Sequence, residues 1–204
     1  GATPPHQARA SESARRAGDV IRRVRAWVHR DHVVSQDIDV NEVVADVERL
    51  LHSELIIRNV RLTLSLDPHL PTVAADRIQL QQVILNLALN GIEAMHELSA
   101  NERHLVIATS LVDRAVHVAV RDQGSGIDHR HISRLFDPFF TTKPTGLGIG
   151  LSICSSIISA HGGRIWAANN PDCGATLFVT LPVAPAPALP IAASSASSTT
   201  TVRC

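Results

Sequence analysis

The sequence predicts an α/β protein of the α+β kind: a two-layer sandwich with a mixed, mainly antiparallel sheet covered on one face by helices, preceded by one long helix. Three observations support this. Strand-like runs cluster in short meanders and do not alternate singly with helices. Two stretches, Asp76 to Leu98 and Ile149 to His161, interrupt them with helical periodicity. Finally, 204 residues of near-average hydrophobic content can bury one good core without disulfides.

The elements follow in order. Residues 8 to 30 place Ala14, Ala17, Ile21, Val24 and Val28 at spacings of three and four, with Arg15, Arg16, Arg22, Arg23 and Arg25 between them. This is one amphipathic helix, and its interspersed arginines read as a solvated face. A lone helix needs a partner for its apolar side, so oligomerisation through it is expected. Residues 35 to 40 read as an extended linker, after which Asn41 caps a helix to about Arg58, with Val43, Val44, Val47, Leu50 and Leu51 inward. Val60 to Leu66, His104 to Leu111, Ala115 to Arg121, Arg164 to Ala168 and Ala175 to Leu181 have strand periodicity. From Pro182 the chain turns to Ala, Pro, Ser and Thr in low-complexity order, which cannot offset the entropy of ordering. The expected division is 1–35, 36–182 and a disordered tail, 183–204.

Acidic and basic residues balance to zero formal charge, which argues against nucleic acid or a membrane surface as a partner. Cys154, Cys173 and Cys204 have neither CxxC spacing nor an even-numbered framework, as a reducing cytoplasm would allow. No basic-then-apolar leader opens the sequence, and no run nears the roughly 18 apolar residues of a membrane span. A cytoplasmic location is expected, with tethering of a longer protein left open.

Chemistry concentrates in four segments. On the helix from Asp76, Val83, Ile84, Leu87, Gly91, Ala94 and Met95 fall on one side at about 100° per residue, and Gln79, Gln82, Asn86, Asn90, Glu93 and Glu97 on the other. Asn86 and Asn90, one turn apart, sit where a side-chain carbonyl reaches a hard cation that also touches phosphate; a merely wet helix face is the alternative. Asp122-Gln-Gly124-Ser-Gly126-Ile127 follows a strand, so its glycines let a flat ring approach and Asp122 accepts from an exocyclic amine. Adenine has that amine and guanine does not. The alternative is an ordinary Asp-Gly turn.

Gly146, Gly148 and Gly150 open the helix of residues 149 to 161, whose first-turn amides suit phosphate. A dinucleotide fingerprint is rejected because the spacing is Gly-x-Gly-x-Gly, no strand leads into it, and the preceding residues read as a mobile loop. Phe136, Phe139 and Phe140 are three of the four phenylalanines in a chain without tyrosine. They suggest a hinge or anchor for the loop from Thr141 to Leu147, which carries Lys143, or else a small satellite core.

In this order the segments resemble the ATP-binding catalytic domain of sensor histidine kinases, in the superfamily shared with gyrase, chaperone and mismatch-repair ATPases. The likeness spans residues 36 to 182 and is nearest to oxygen- and nitrogen-sensing kinases of bacterial two-component systems. Gln82 to Met95 looks like the N box, Asp122 to Gly126 the G1 box, Phe136 to Lys143 the F box and Gly146 to Ile153 the G2 box. Gly174-Ala-Thr176 looks like the final glycine-threonine element.

The resemblance implies Asn90 as the magnesium ligand with Asn86 beside it, Asp122 on the adenine amine and Thr176 supporting that contact. Gly124 and Gly126 would lie under the base, with Ile127 and Leu151 in the same ATP site, while Gly146, Gly148 and Gly150 form lid and phosphate floor. Some relatives carry a lysine three residues after the metal-binding asparagine; Glu93 stands there here, so Lys143 is the substitute phosphate contact. Hydrolysing relatives carry a glutamate base where this chain has Asn86, which favours phosphoryl transfer over hydrolysis.

Residues 8 to 30 look like the second helix of a dimerisation hairpin, so a homodimer through them is implied. No His-Glu or His-Asp box precedes it, and His96-Glu97-Leu98 lacks the following Gln-Pro. The acceptor histidine is therefore expected on an upstream sensor and His-box helix, with a response regulator receiver domain as the next partner. Alone, the chain should bind Mg-ATP and fail to phosphorylate itself. A nucleotide-binding scaffold without turnover and a weak ATPase are the alternatives. His29/His32 and His129/His131 read as surface histidines, since neither pair has a third ligand.

Overall fold

The computed structural model describes residues 35–143 and 146–184. The expected helix over residues 8 to 30, and the tail from residue 185, lie outside the described residues. Within them, a paired strand lies where an extended linker was expected. Gln36–Ile38 (β1) pairs antiparallel with Val73–Ala75 (β3), three residues each and too short for periodicity to reveal. Val40–Ile57 (α1) follows directly.

The cap of α1 is Asp39 in place of Asn41: the Asp39 carboxylate accepts from Asn41 N at 2.8 Å. Asn41 lies inside the first turn, where its amide donates to Asp67 O at 2.7 Å and its Oδ1 accepts from Thr109 Oγ1 at 2.8 Å. Val40, Val43, Val44, Val47 and Leu51 are buried, but Leu50, expected inward, is 57% exposed on the outer side of the stripe.

The main sheet contains Arg61–Ser65 (β2), His104–Val112 (β4), Ala115–Arg121 (β5), Arg164–Asn169 (β6) and Ala175–Pro182 (β7). Its order is β2-β4-β5-β7-β6, with only the β2–β4 pair parallel, so the mixed, mainly antiparallel expectation holds. Asp113 and Arg114 turn the β4–β5 hairpin with φ of 48° and 61°, the left-handed pair that matches strand twist in a two-residue loop. Leu105, Ile107, Val116, Val118, Val120, Leu177, Val179 and Leu181 point at alternate positions into the core. Val183 still bridges Val73, and Ala184 N donates to Thr72 O at 3.0 Å, so ordered backbone runs two residues past the expected boundary.

Arg77–Ala94 (α2) lays Leu80, Val83, Ile84, Leu87, Ala88, Gly91 and Ile92 against that sheet, each large side chain contributing about 1.5–3 kcal/mol by leaving water. Asp76 caps it through Ile78 N at 2.9 Å and Gln79 N at 3.1 Å. The helix ends at Ala94, before the expected Leu98, with Met95 buried beyond it. His129–Ile132 (α3) is a single turn, and Gly150–Ala160 (α4) packs beside α2 with Cys154 and Ile158 buried. His161 closes α4: Nδ1 donates to Ile157 O at 2.8 Å, so Nε2 accepts from Asp76 N at 3.0 Å and ties the end of α4 to the start of α2.

Candidate functional site

Asp122 stands one residue past the end of β5 and is 3% exposed. Its backbone N donates to Ala175 O at 3.0 Å, while its Oδ1 accepts from Gly124 N at 2.8 Å and Ala175 N at 3.2 Å. Burial pushes its carboxyl above the usual carboxylate range, although those amides and the Arg121 charge act against the rise. A side chain at Gly174 would press on the Asp122 backbone and come within 2.8 Å of Oδ1, and Gly174 has φ of +74°, so glycine is required there.

Two asparagines that sequence reasoning passed over complete this end. Asn169 Oδ1 accepts from Ile127 N at 2.7 Å and its Nδ2 donates to Ile127 O at 2.7 Å, clamping that backbone. Asn170 Nδ2 donates to Asp122 O at 2.9 Å and its Oδ1 accepts from Thr176 Oγ1 at 2.6 Å. Thr176 thus reaches Asp122 through Asn170; in the β5–β7 ladder it stands opposite Arg121. The Asn-Asn-Pro-Asp run at 169–172 was the signal available in the sequence, a turn whose side chains compete for backbone bonds.

The glycines serve different ends. A Cβ at Gly124 would come within 2.5 Å of Ala94 O, so this glycine seats the loop on the end of α2. Gly126, with φ of +75°, lies against Asn169. Gly146 faces Thr141, and Gly148, with φ of +66°, faces the Phe139 and Phe140 carbonyls. Gly150, at the first turn of α4, has open space where a Cβ would lie. Leu151 beside it is partly buried against the core.

Across from them, on the polar side of α2, Asn86 Nδ2 donates to Cys154 Sγ at 3.7 Å. Asn90 Oδ1 accepts from Lys143 Nζ at 3.3 Å, and the same ammonium is ion-paired with Glu93. Lys143, expected as the phosphate contact in place of a lysine at position 93, is ion-paired with the glutamate found there. The phenylalanines divide: Phe136 packs on the core, and Phe140 lies edge-on to His131 at 5.3 Å with Arg134 over its ring at 4.9 Å. Phe139 is 79% exposed with φ of 65°. His96 is exposed at the end of α2, with Nδ1 3.0 Å from Glu93 O.

Among the described residues no group of three or more His, Cys, Asp or Glu is gathered as a metal site, and no helix is long and apolar enough to cross a membrane. An open groove lined in part by His52, Leu55, Ile56, Asn59 and Arg103 lies at the far end of α1 and contains none of the site residues.

The chain is 45% identical over 177 residues to the sensor protein FixL of Bradyrhizobium diazoefficiens, a match covering 86% of this chain and 35% of FixL. It therefore spans about a third of that relative. The catalytic domain of histidine kinase ThkA is 33% identical with a TM-score of 0.65, over 74% of this chain and 99% of that domain. ThkA in complex with the response regulator protein TrrA matches with a TM-score of 0.70 at 26% identity, over 85% of this chain and 49% of that chain. The family of histidine kinase-, DNA gyrase B- and HSP90-like ATPases matches residues 75–185, from β3 through the end of β7, and the chain belongs to it.

Proposed function

We propose that residues 36–182 form the ATP-binding catalytic domain of a cytoplasmic sensor histidine kinase. It would transfer the γ-phosphoryl group of Mg-ATP to a histidine on another segment, for relay to a response regulator receiver domain. The observation that carries this reading is Asp122: a buried carboxylate at the end of β5 whose Oδ1 is occupied by two backbone amides; its other oxygen is assigned to the adenine amine. Asn170, itself bonded by Thr176, holds the Asp122 backbone carbonyl, and Gly126 and Ile127 border the base, with the Ile127 backbone clamped by Asn169. Gly146, Gly148 and Gly150 run beneath the phosphates, where the open face of Gly150 and the first-turn amides of α4 suit anions.

Asn90 is the proposed magnesium ligand with Asn86 beside it. Its Oδ1 already accepts from a cation, and phosphate oxygens and water would complete the shell, as magnesium commonly requires. When bound, magnesium supplies positive charge to the phosphate oxygens. Lys143 is the proposed second phosphate contact. Asn86 carries an amide where a hydrolase needs a base, which supports transfer: positioning and charge stabilisation suffice for phosphoryl transfer, whereas hydrolysis also needs an oriented water. Residues 1–35 are proposed to contribute the second helix of a dimerisation hairpin, making a homodimer.

The test is incubation with ATP labelled at the γ-phosphate, with and without a separately supplied His-box helix. Acid-labile phosphoprotein on the added helix supports the kinase. Tight ATP binding with no transfer in either arm supports a scaffold, and release of phosphate alone supports an ATPase.

A further inference from the structure

We propose that Glu93 is a positioning residue that parks the Lys143 ammonium on Asn90, so that lysine and metal exchange at one oxygen, Asn90 Oδ1, as nucleotide enters. This rests on the proposed assignment of Asn90 and Lys143 to the Mg-ATP site.

The geometry is a three-way junction. Asn90 and Glu93 lie one turn apart on α2, and Lys143 reaches both from 50 residues further along the chain. The lysine is presented from a supported base: Phe140, three residues before it, is held by His131 and Arg134, and the Lys143 backbone N donates to Thr141 Oγ1 at 3.1 Å. Gly146 N also donates to Lys143 O at 3.2 Å. The stem is therefore placed by contacts separate from those of the ammonium, which Asn90 and Glu93 hold. Lys143 and Glu93 are 45% and 46% exposed, so solvent screens their ion pair enough for the lysine to change partners.

A metal ion and an ammonium on the same carbonyl oxygen repel one another. With a metal ion at Asn90 Oδ1, the Lys143 ammonium would be displaced from that oxygen, and the nearest compensation for its charge would be the phosphate chain. Glu93 sets how readily it leaves. Its charge is opposite to that of the lysine some relatives carry at this position, and here the cation is returned by the loop.

The experiment is a double-mutant cycle on nucleotide binding, measured by titration calorimetry of ATP with and without magnesium. The quantity read is the factor by which magnesium tightens ATP binding. Lys143→Met should raise that factor, because the metal loses its competitor and the phosphates lose their lysine. Glu93→Gln should shift it by about threefold, the scale of one half-exposed ion pair, because it changes how firmly Lys143 is held on Asn90. In the Lys143→Met background, Glu93→Gln should have no effect on it. An equal effect of Glu93→Gln in both backgrounds overturns the proposal, since Glu93 would then act on the ligand charge directly. Failure of the unaltered chain to bind ATP at all overturns the site assignment beneath it. Thermal unfolding checks that each variant folds, and Glu93→Ala is a second way to remove the carboxylate, with the same expectation.

Discussion

The two ends of the site are built from different materials. Around Asp122 the contacts are buried and interlocked: two amides on one carboxylate oxygen, Gly174 pressed to its backbone, and two asparagines bonding across β6, β7 and the G1 loop. Around Lys143 they are half exposed, carried by one long side chain, and flanked by Phe139 in an uncommon left-handed conformation. The buried end can discriminate because its hydrogen-bonding groups are already placed, and an unpaired partner there is costly. The exposed end can rearrange because each contact is weak in water. On the proposed reading, base recognition and phosphate contact have separate structural means, joined through α2, whose residues Gly91 and Asn90 touch one end each.

The largest expected effect is at Gly174. Gly174→Ala forces a side chain into the Asp122 backbone at positive φ, and should cost about 2–4 kcal/mol of stability and abolish ATP binding, read by denaturant unfolding and calorimetry. Next is Lys143→Met, which should weaken Mg-ATP binding by roughly tenfold while leaving folding stability within about 0.5 kcal/mol, since the proposed exposed charge contact to phosphate is lost and no core is touched. A large loss of stability there would blur the contrast between the two ends.

Asp122→Asn separates stability from recognition. Its amide oxygen keeps the two backbone bonds, but the carboxylate's burial cost disappears. Because burial raises the Asp122 pKa, the folded state holds a proton that the unfolded chain has already released, and stability conferred by that proton is lost as pH rises through the folded value. The variant should therefore gain stability relative to the parent as pH rises from about 4 to about 7, measured by urea unfolding of both proteins in parallel. The smallest effect is at the exposed end: Phe139→Gly should be neutral to stabilising by up to about 1 kcal/mol in thermal unfolding, because glycine accepts φ of 65° and the ring buries little.

How far the sequence could be read follows the same division. Strands of five or more residues and the α2 stripe were legible because alternation and three-four spacing persist long enough to be seen. β1 and β3, three residues each, were not, and Asp39 could not be told from Asn41 as a cap because both side chains suit the position. The glycine-rich boxes and Asp122 pointed to the candidate site by composition and order. The clamps by Asn169 and Asn170, and the approach of Lys143 to Glu93 and Asn90, depend on contacts across 42 to 53 residues that no local pattern encodes.

The most direct measurement is binding of ATP and GTP by the unaltered chain and by Asp122→Ala, with folding checked by thermal unfolding. The unaltered chain should prefer ATP by a large margin, up to roughly 10⁴-fold for a site built around one buried hydrogen bond, and the variant should lose that preference. ATP affinity unchanged in a folded Asp122→Ala would contradict the assignment of Asp122 to the adenine amine.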